Sequence, residues 1–177
     1  MREWRLIPTW LLSAQSSRAE NITRTTPLGE RSMGRKNRMV VLLDGECTMC
    51  SCFGHFVSKF DPVGTFRFAS QQSLVGESVM EHCEGAKAHA LNSILVCDVI
   101  DGTFEVGSTA VLSIFARLPS AAMRALASVG LAVPLAVRDK IYYCIARRRH
   151  AMFGRSSQCA IKCSDYERRV LKSSKDL

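Results

Sequence analysis

The stretch Met-Val-Val-Leu-Leu-Asp-Gly-Glu-Cys-Thr-Met-Cys, residues 39–50, decides the fold that the sequence predicts. It begins with a continuous apolar run, Met39–Leu43, which an Asp-Gly pair ends. A run of this kind predicts a strand that is covered on both faces, as in α/β sheets. Cys47 and Cys50 follow at once. The stretch therefore predicts a buried strand that delivers a Cys-x-x-Cys motif to the start of the next element.

The residues after the motif have helical periodicity. Phe53, Phe56, Val57 and Phe60 fall at i, i+3, i+4 and i+7, which is the spacing of one helix face. The Asp-Pro pair at 61–62 ends the helix, because a residue before proline avoids the helical conformation. The motif is thus predicted at the N-terminus of an amphipathic helix.

The order of the remaining elements predicts the fold class. Strands are predicted around Phe66 and Phe68, at residues 93–97, and at Thr103–Val106 after an Asp-Gly turn. Helices are predicted from 107 to 118, from 121 to 129 and from 137 onward, with a poorly defined helix within 70–92. In the last helix we expect Ile141, Cys144 and Ile145 to face inward. This is the order of a thioredoxin-like α/β fold, with a small central mixed sheet flanked by helices and an extra C-terminal helical segment.

Charge is distributed unevenly along the 177 residues, whose net charge is +8. Residues 1–38 carry +5, residues 39–137 carry −4 and residues 138–177 carry +7. We therefore expect a basic N-terminal extension (1–38), a thioredoxin-like domain (39–163) and a basic C-terminal tail (164–177). No run of 18 apolar residues is present, so no transmembrane segment is predicted.

The N-terminal extension is rich in Arg and Ser and poor in acidic residues. That composition is typical of an organelle transit peptide, and a basic arm retained on the mature protein is the alternative. The first interpretation predicts an organellar location, mitochondrial rather than plastid. The second predicts a cytoplasmic one.

The Cys-x-x-Cys motif indicates thiol–disulfide chemistry. A helix N-terminus presents unpaired N–H groups that favour a thiolate at the first cysteine. We therefore expect Cys47 to attack and Cys50, one turn further in, to resolve the mixed disulfide. Asp44, at the carboxyl end of the strand, either accepts the proton of Cys50 or caps the loop. No cofactor and no metal are expected for this reaction.

Two other classes of function stay open. A zinc site at the motif would need a second pair of ligands, for which Cys159 and Cys163 are the candidates. The second class is a scaffold that contacts RNA or a ribonucleoprotein through phosphate-binding cations. Its candidates are Arg147, Arg148, Arg149, Arg155, Arg168, Arg169 and Lys172, although no aromatic stacking pattern accompanies them.

The other cysteines and the histidines carry weaker signals. Cys52 is interpreted as a metal ligand or a bystander on the helix. Cys83, Cys97 and Cys144 are predicted to be loop or core residues. The four histidines have no ligand spacing and receive no role; they are His55, His82, His89 and His150.

Five segments together are more specific than the cysteine motif alone. They are Leu-Asp-Gly-Glu-Cys-Thr-Met-Cys (43–50), Phe-Ala-Ser-Gln-Gln-Ser (68–73), Gly-Ser-Thr-Ala (107–110), residues 134–142 with Val-Arg-Asp at 137–139, and residues 146–159 with Phe-Gly-Arg at 153–155 and Cys159. In this order they resemble the signature segments of the DCC family of thiol-disulfide oxidoreductases. The resemblance covers roughly residues 39–163.

The resemblance implies a thioredoxin-like fold and disulfide exchange at Cys47 and Cys50, with a protein or a small molecule as the thiol or disulfide substrate. It also implies a choice for Cys159 between a position near the motif and a structural role. One feature departs from thioredoxins, which carry a cis-proline before the third strand. Here Asn92 and Ser93 precede Ile94.

Overall fold

The computed structural model describes residues 39–91, 93–155 and 163–173. Predictions for residues 1–38, for Asn92 and for Cys159 fall outside these residues. In chain order the elements are β1 (Met39–Leu43), α1 (Thr48–Phe60), β2 (Phe66–Ser70), α2 (Leu74–His82), a 3-10 helix (Ala86–His89), β3 (Leu95–Asp98), β4 (Thr103–Val106), α3 (Gly107–Arg117), α4 (Ala121–Ala132), α5 (Leu135–Phe153) and α6 (Ser164–Arg169).

The four strands form one mixed sheet in the order β2-β1-β3-β4. Strand β1 pairs in parallel with β2, where Val41 lies opposite Phe68, and antiparallel with β3, where it lies opposite Val96. Strands β3 and β4 form the antiparallel hairpin that the Asp-Gly turn predicts. A βαβ unit followed by a hairpin and a helix is the thioredoxin-like arrangement, so the predicted fold class is confirmed.

Strand β1 lies at the centre and is buried on both faces, as its apolar run predicts. Val41 and Leu43 belong to one hydrophobic core with side chains of α1 and α3. Val40 and Leu42 belong to a second core with side chains of α2. Because successive side chains of a strand point to opposite faces, this single strand joins the two cores.

The helix after the motif begins and ends where the sequence predicts. Helix α1 ends at Phe60, and the buried carboxylate of Asp61 then accepts hydrogen bonds from the backbone N–H groups of Gly64 and Phe66, at 3.1 and 3.0 Å. Helix α2 is better defined than expected, because Ser73 caps its N-terminus by accepting a bond from the Gly76 N–H at 3.1 Å.

The chain from 163 to 173 packs against the sheet and α1. The Leu171 N–H donates to the Phe68 carbonyl at 2.8 Å, and the Tyr166 ring lies 5.0 Å from the Phe68 ring. Arg169 forms an ion pair of 3.1 Å with Asp61. Arg169 is therefore engaged in a largely buried ion pair, which corrects its interpretation as a phosphate-binding cation.

Helix α5 presents a different face to the domain from the one predicted. Ile141 and Ile145 are 58% and 46% exposed, and Cys144 is exposed as well. Tyr142 and Arg149 face inward instead. The predicted inward aliphatic face, and the prediction of Cys144 as a loop or core residue, are both wrong.

Polar contacts explain the orientation of α5. The hydroxyl of Ser108, in the first turn of α3, donates to the carboxylate of Asp139. The Tyr142 hydroxyl accepts a hydrogen bond of 2.9 Å from the Ile94 N–H, directly before β3. A periodicity analysis of apolar residues does not register such bonds, which is why it selected the other face.

Among the described residues, no single helix is long and apolar enough to cross a membrane. Helices α4 and α5 meet that length and composition only when they are taken together, and the chain bends by 113° between them.

Gly76 allows α2 to pack directly on the turn that follows β2. A Cβ atom at this position would lie 2.0 Å from the Ser70 carbonyl oxygen, a backbone atom that cannot rotate away. We expect Gly76→Ala to lower the free energy of unfolding by about 2 kcal/mol or more through overpacking. Urea denaturation measures this, with Ser78→Ala on the exposed side of α2 as the control. Equal stability of the two variants would contradict the described packing.

Candidate dithiol site

The structure places Cys47 and Cys50 at the junction of β1 and α1. Cys47 is the N-cap residue of α1, with extended backbone angles (φ −108°, ψ 114°), and its carbonyl accepts the Ser51 N–H at 3.0 Å. Cys50 lies in the first turn. Both side chains are buried in the core that contains Val41 and Leu43. This is the location that the sequence predicts for the motif.

The environment of Cys50 keeps its thiol protonated at neutral pH. Burial, the charge of Cys47 and a hydrogen bond to the Cys47 side chain together raise the pKa of Cys50 to about 12. A hydrogen bond with the backbone of Asp44 and the charge of Arg149 act in the opposite direction, less strongly. The protonated Cys50 thiol therefore donates a hydrogen bond to the Cys47 sulfur.

The carboxylate of Asp44 is buried and almost fully hydrogen-bonded. Its Oδ1 atom accepts from the Glu46 N–H at 3.1 Å and from Gln72 Nε2 at 2.7 Å, and its Oδ2 atom accepts from Arg149 Nη2 at 2.8 Å. Burial alone would raise the pKa of Asp44, but the bonds from Arg149 and Gln72 outweigh it and lower that pKa below its ordinary value. Asp44 is thus ionised at neutral pH.

Arg149 supplies the buried cation of the site. Its side chain is 8% exposed, and its Nη2 atom also donates to the Leu91 carbonyl at 2.7 Å. Burial would lower the pKa of Arg149, but the hydrogen bond to Asp44 and the charges of Cys50 and Cys47 raise it. Arg149 is therefore not a surface cation available to RNA. The segment 146–159, which resembles the Arg-x-x-x-Phe-Gly-Arg ending of the family, contains Arg149 and was the signal that could have identified it.

Gln71 and Gln72 attach the surrounding loops to β1. Gln71 Nε2 donates to the Leu42 and Ser93 carbonyls at 3.1 and 2.7 Å, and its Oε1 accepts from the Leu91 N–H. These bonds hold Leu91 at a φ of +61°, a backbone conformation that a branched residue rarely adopts. The strained loop thereby directs the Leu91 carbonyl to the guanidinium.

His150 joins the site although sequence reasoning assigned it no role. Its Nε2 atom lies 3.4 Å from Asp44 Oδ2, and one donor atom each of Asp44, Cys47 and His150 lie within 4.8 Å of one another. The spacing of histidines in the sequence gave no signal, because a gap of over a hundred residues separates His150 from the motif.

Three such donor atoms can in principle hold a metal ion, and the contacts of Asp44 oppose this. The oxygen nearest His150 already accepts a hydrogen bond from the guanidinium of Arg149, so a cation occupies the position next to it. Cys163, predicted as a zinc ligand, donates its backbone N–H to His55 Nδ1 at 3.0 Å on the other side of α1. The described geometry does not support the zinc alternative.

The chain after α5 covers the first cysteine. Arg155 forms an isolated β-bridge with Cys47, and the Thr48 hydroxyl donates to the Gly154 carbonyl at 3.3 Å. Gly154 has a φ of +78°, which allows the chain to turn onto the site. Cys47 is fully buried in consequence.

The other cysteines occupy different environments. Cys83 and Cys97 are fully buried in the second core, as predicted. Cys52, on α1, is half-buried and disulfide-bonded rather than a free thiol.

A dithiol at the first helix of a thioredoxin-like sheet, beside a buried ion pair, defines the class of thiol-redox proteins. The family model of the DCC1-like thiol-disulfide oxidoreductases matches residues 41–155. The chain therefore belongs to this family, and a redox role follows from that membership.

Two relatives show the extent of the similarity. The uncharacterized protein YuxK of Bacillus subtilis is 32% identical over 132 residues, which are 75% of this chain and 93% of YuxK. A chloroplastic DCC family protein of Arabidopsis thaliana is 32% identical over 126 residues, 70% of each chain. No solved structure matches the chain at a significant level.

The Asp44–Arg149 pair generates a stability prediction. In Asp44→Asn the guanidinium stays buried without its counter-ion, and we expect a loss of about 3 kcal/mol at pH 7. Because the pKa of Asp44 is lowered in the folded protein, the stabilisation is complete above the ordinary value of 3.8 and is lost as the pH falls through the folded value.

Urea denaturation of both proteins at pH 7 and near pH 3 measures this difference. The gap between wild type and variant should shrink at the lower pH. Glu81→Gln is the control, because it removes an exposed ion pair with Lys87 and should change stability little. A gap that stays constant with pH would contradict the ion-pair assignment.

Proposed function

We propose that this protein is a dithiol–disulfide oxidoreductase in which Cys47 is the attacking thiolate and Cys50 the resolving thiol. The observation that carries this proposal is the hydrogen-bonded pair of thiols at the N-terminus of α1, next to the Asp44–Arg149 ion pair. Membership of the DCC1-like family supports the reaction type. The substrate class is a protein or small-molecule disulfide.

The reaction is a pair of thiol–disulfide exchanges. The Cys47 thiolate attacks one sulfur of the substrate disulfide, whose S–S bond breaks and releases a thiolate that takes up a proton. Cys50 then loses its proton and attacks the Cys47 sulfur of the mixed disulfide, which releases the second substrate thiol. The protein ends with a Cys47–Cys50 disulfide and has transferred two electrons, so a dithiol reductant must restore it.

Electrostatics favour negative charge at Cys47. The N-terminus of α1 presents its unpaired N–H groups there, and the guanidinium of Arg149 interacts with the charges of both cysteines. The raised pKa of Cys50 keeps the resolving thiol protonated until the mixed disulfide has formed. The step at Cys50 therefore follows the attack by Cys47.

Of the two roles predicted for Asp44, loop cap and proton acceptor, we propose the first. Its carboxylate accepts the Glu46 N–H across the turn and is the counter-ion of Arg149. A carboxylate with a lowered pKa is a poor proton acceptor.

Access to Cys47 requires movement of the chain that covers it. Among the described residues the cover consists of Gly154 and Arg155, which contact Thr48 and Cys47. We propose that binding of the substrate displaces these two residues.

We further propose an organellar location. The chloroplastic location in the name of the Arabidopsis relative and the composition of residues 1–38 support it. The mitochondrial preference from composition stays a prediction. No observation favours contact with RNA, since Arg149 and Arg169, two of the candidate cations, lie in ion pairs within the domain.

The first test is thiol trapping with oxidised glutathione at pH 7. We expect Cys50→Ser to accumulate a mixed disulfide at Cys47, because the resolving thiol is absent. In Cys47→Ser, adducts at Cys50 should be at least about tenfold fewer, because burial, the largest cause of its raised pKa, remains. Peptide mass spectrometry measures both.

Cys144→Ser is the matched control, since it removes an exposed free thiol on α5. Adducts at Cys47 should be unchanged in it. If wild-type protein forms no Cys47–Cys50 disulfide in glutathione buffers of any physiological potential, the proposed function is wrong.

We assign to His150 the acceptance of the Cys47 proton. The groups around it are Asp44, Cys47 and Arg149, and its Nδ1 atom is buried without a hydrogen-bond partner among the described residues. Nε2 lies 3.4 Å from Asp44 Oδ2, and one of the two ring nitrogens lies within 4.8 Å of the Cys47 sulfur.

For His150→Gln we expect the rate of mixed-disulfide formation at Cys47 to fall by at least about tenfold at neutral pH. The pH–rate profile should also lose one ionisation, a change that a purely structural effect would not produce. Stopped-flow kinetics with an aromatic disulfide measure both, and His82→Gln on α2 is the control. An unchanged pH–rate profile would exclude this role.

A further inference from the structure

The outer face of α5 is an exposed apolar surface. It contains Val137, Ile141, Ile145 and Met152, which are 46–62% exposed and lie on one side of the helix. Aliphatic side chains at this spacing are usually the buried face of a helix, which is what the sequence alone predicts. In the structure nothing within the described residues covers them.

The charges around this surface all have one sign. Lys140, Arg147 and Arg148 are exposed. By helical spacing Arg148 lies among the aliphatic side chains, and Lys140 and Arg147 lie along the edge of this surface next to Val137. Asp139 is the single acidic residue of the sequence between Glu105 and Asp165, and its carboxylate is bound to Ser108 on the inner face. Cations thus border the apolar residues, and no acidic side chain of α5 is exposed to neutralise them.

We infer that the outer face of α5 docks on the surface of a lipid bilayer that contains anionic headgroups. An interfacial helix of this kind buries aliphatic side chains at the level of the acyl chains, while Lys and Arg contact the headgroups. Both components, the aliphatic side chains and the unopposed cations, are present on one side of one helix.

A second copy of the chain and RNA are two other occupants of the outer face of α5, and both fit it less well. A second copy related by two-fold symmetry would place Arg147 and Arg148 against the same cations, with no exposed acidic residue of α5 to oppose them. RNA would use the cations and leave Ile141, Ile145 and Met152 without a partner. A bilayer with anionic lipid satisfies both sets of residues.

The attachment is peripheral and does not span the bilayer. The inner face of α5 is engaged in the domain through Tyr142 and Arg149, and α5 meets α4 at a bend of 113°. Helix α5 cannot leave the domain without breaking the bonds of Tyr142 and Arg149, and the bonds of Arg149 belong to the dithiol site. The helix therefore carries a membrane surface on one side and the cation of the dithiol site on the other.

The test is co-sedimentation of the full chain with vesicles of phosphatidylcholine alone or mixed with phosphatidylglycerol. We expect binding to the mixed vesicles and weak binding to phosphatidylcholine. The double variant Ile141→Ser/Ile145→Ser keeps the charge and should reduce the partition coefficient by at least about tenfold. Arg147→Gln/Arg148→Gln should reduce the preference for phosphatidylglycerol.

The matched control is Leu74→Ser/Ile100→Ser, which removes two exposed apolar residues outside α5 (83% and 66% exposed) and should bind like wild type. Circular dichroism and glutathione trapping at Cys47 verify that every variant is folded, and they test the redox proposal separately. Vesicle binding that the Ile141/Ile145 variant retains would assign the attachment to the basic ends and overturn the inference. A dimer in light scattering that the same variant abolishes, or no vesicle binding at all, would also overturn it.

Discussion

The buried ion pair between Asp44 and Arg149 is the contact on which the arrangement of the site depends. Asp44 ends the central strand, and Arg149 lies near the end of the longest helix, 105 residues later. An unpaired charge in this position would be strongly destabilising, so each partner requires the other to be in place. The pair thereby fixes α5 relative to β1, and with α5 come His150 and the cover over Cys47.

The fold could be predicted largely because the deciding signals are local. An apolar run, an Asp-Gly turn and a helical spacing of aromatic residues act within a few residues of one another, and they give β1, the β3–β4 hairpin and α1 correctly. The inward face of α5 could not be predicted in this way. Its orientation depends on the hydrogen bonds that Tyr142 accepts from Ile94 and Asp139 accepts from Ser108, partners that lie 48 and 31 residues away in sequence.

The residues of the candidate site differ in the same way: those in a local motif could be predicted, and those brought in from a distant part of the chain could not. Cys47, Cys50 and Asp44 are found from the sequence because they are neighbours in a short motif. Arg149 was interpreted as one member of a basic run, although its two neighbours, Arg147 and Arg148, point to solvent and it does not. Helical geometry explains the difference, since consecutive residues are rotated by about 100° and a run of three cations cannot share one environment.

Helix α5 has an inner surface of polar contacts and an exposed aliphatic outer surface, and its sequence can be understood only when both are considered together. Residues that would normally form its buried side face outward, because the inward side is committed to the polar contacts of the dithiol site. A protein with no use for an exposed aliphatic stripe would be expected to replace it with polar residues, which are better solvated and reduce aggregation. The exposed Ile141 and Ile145 beside unopposed cations fit a surface that is covered when the protein works. The redox chemistry would then take place close to a membrane, at a site whose cation is part of the same helix.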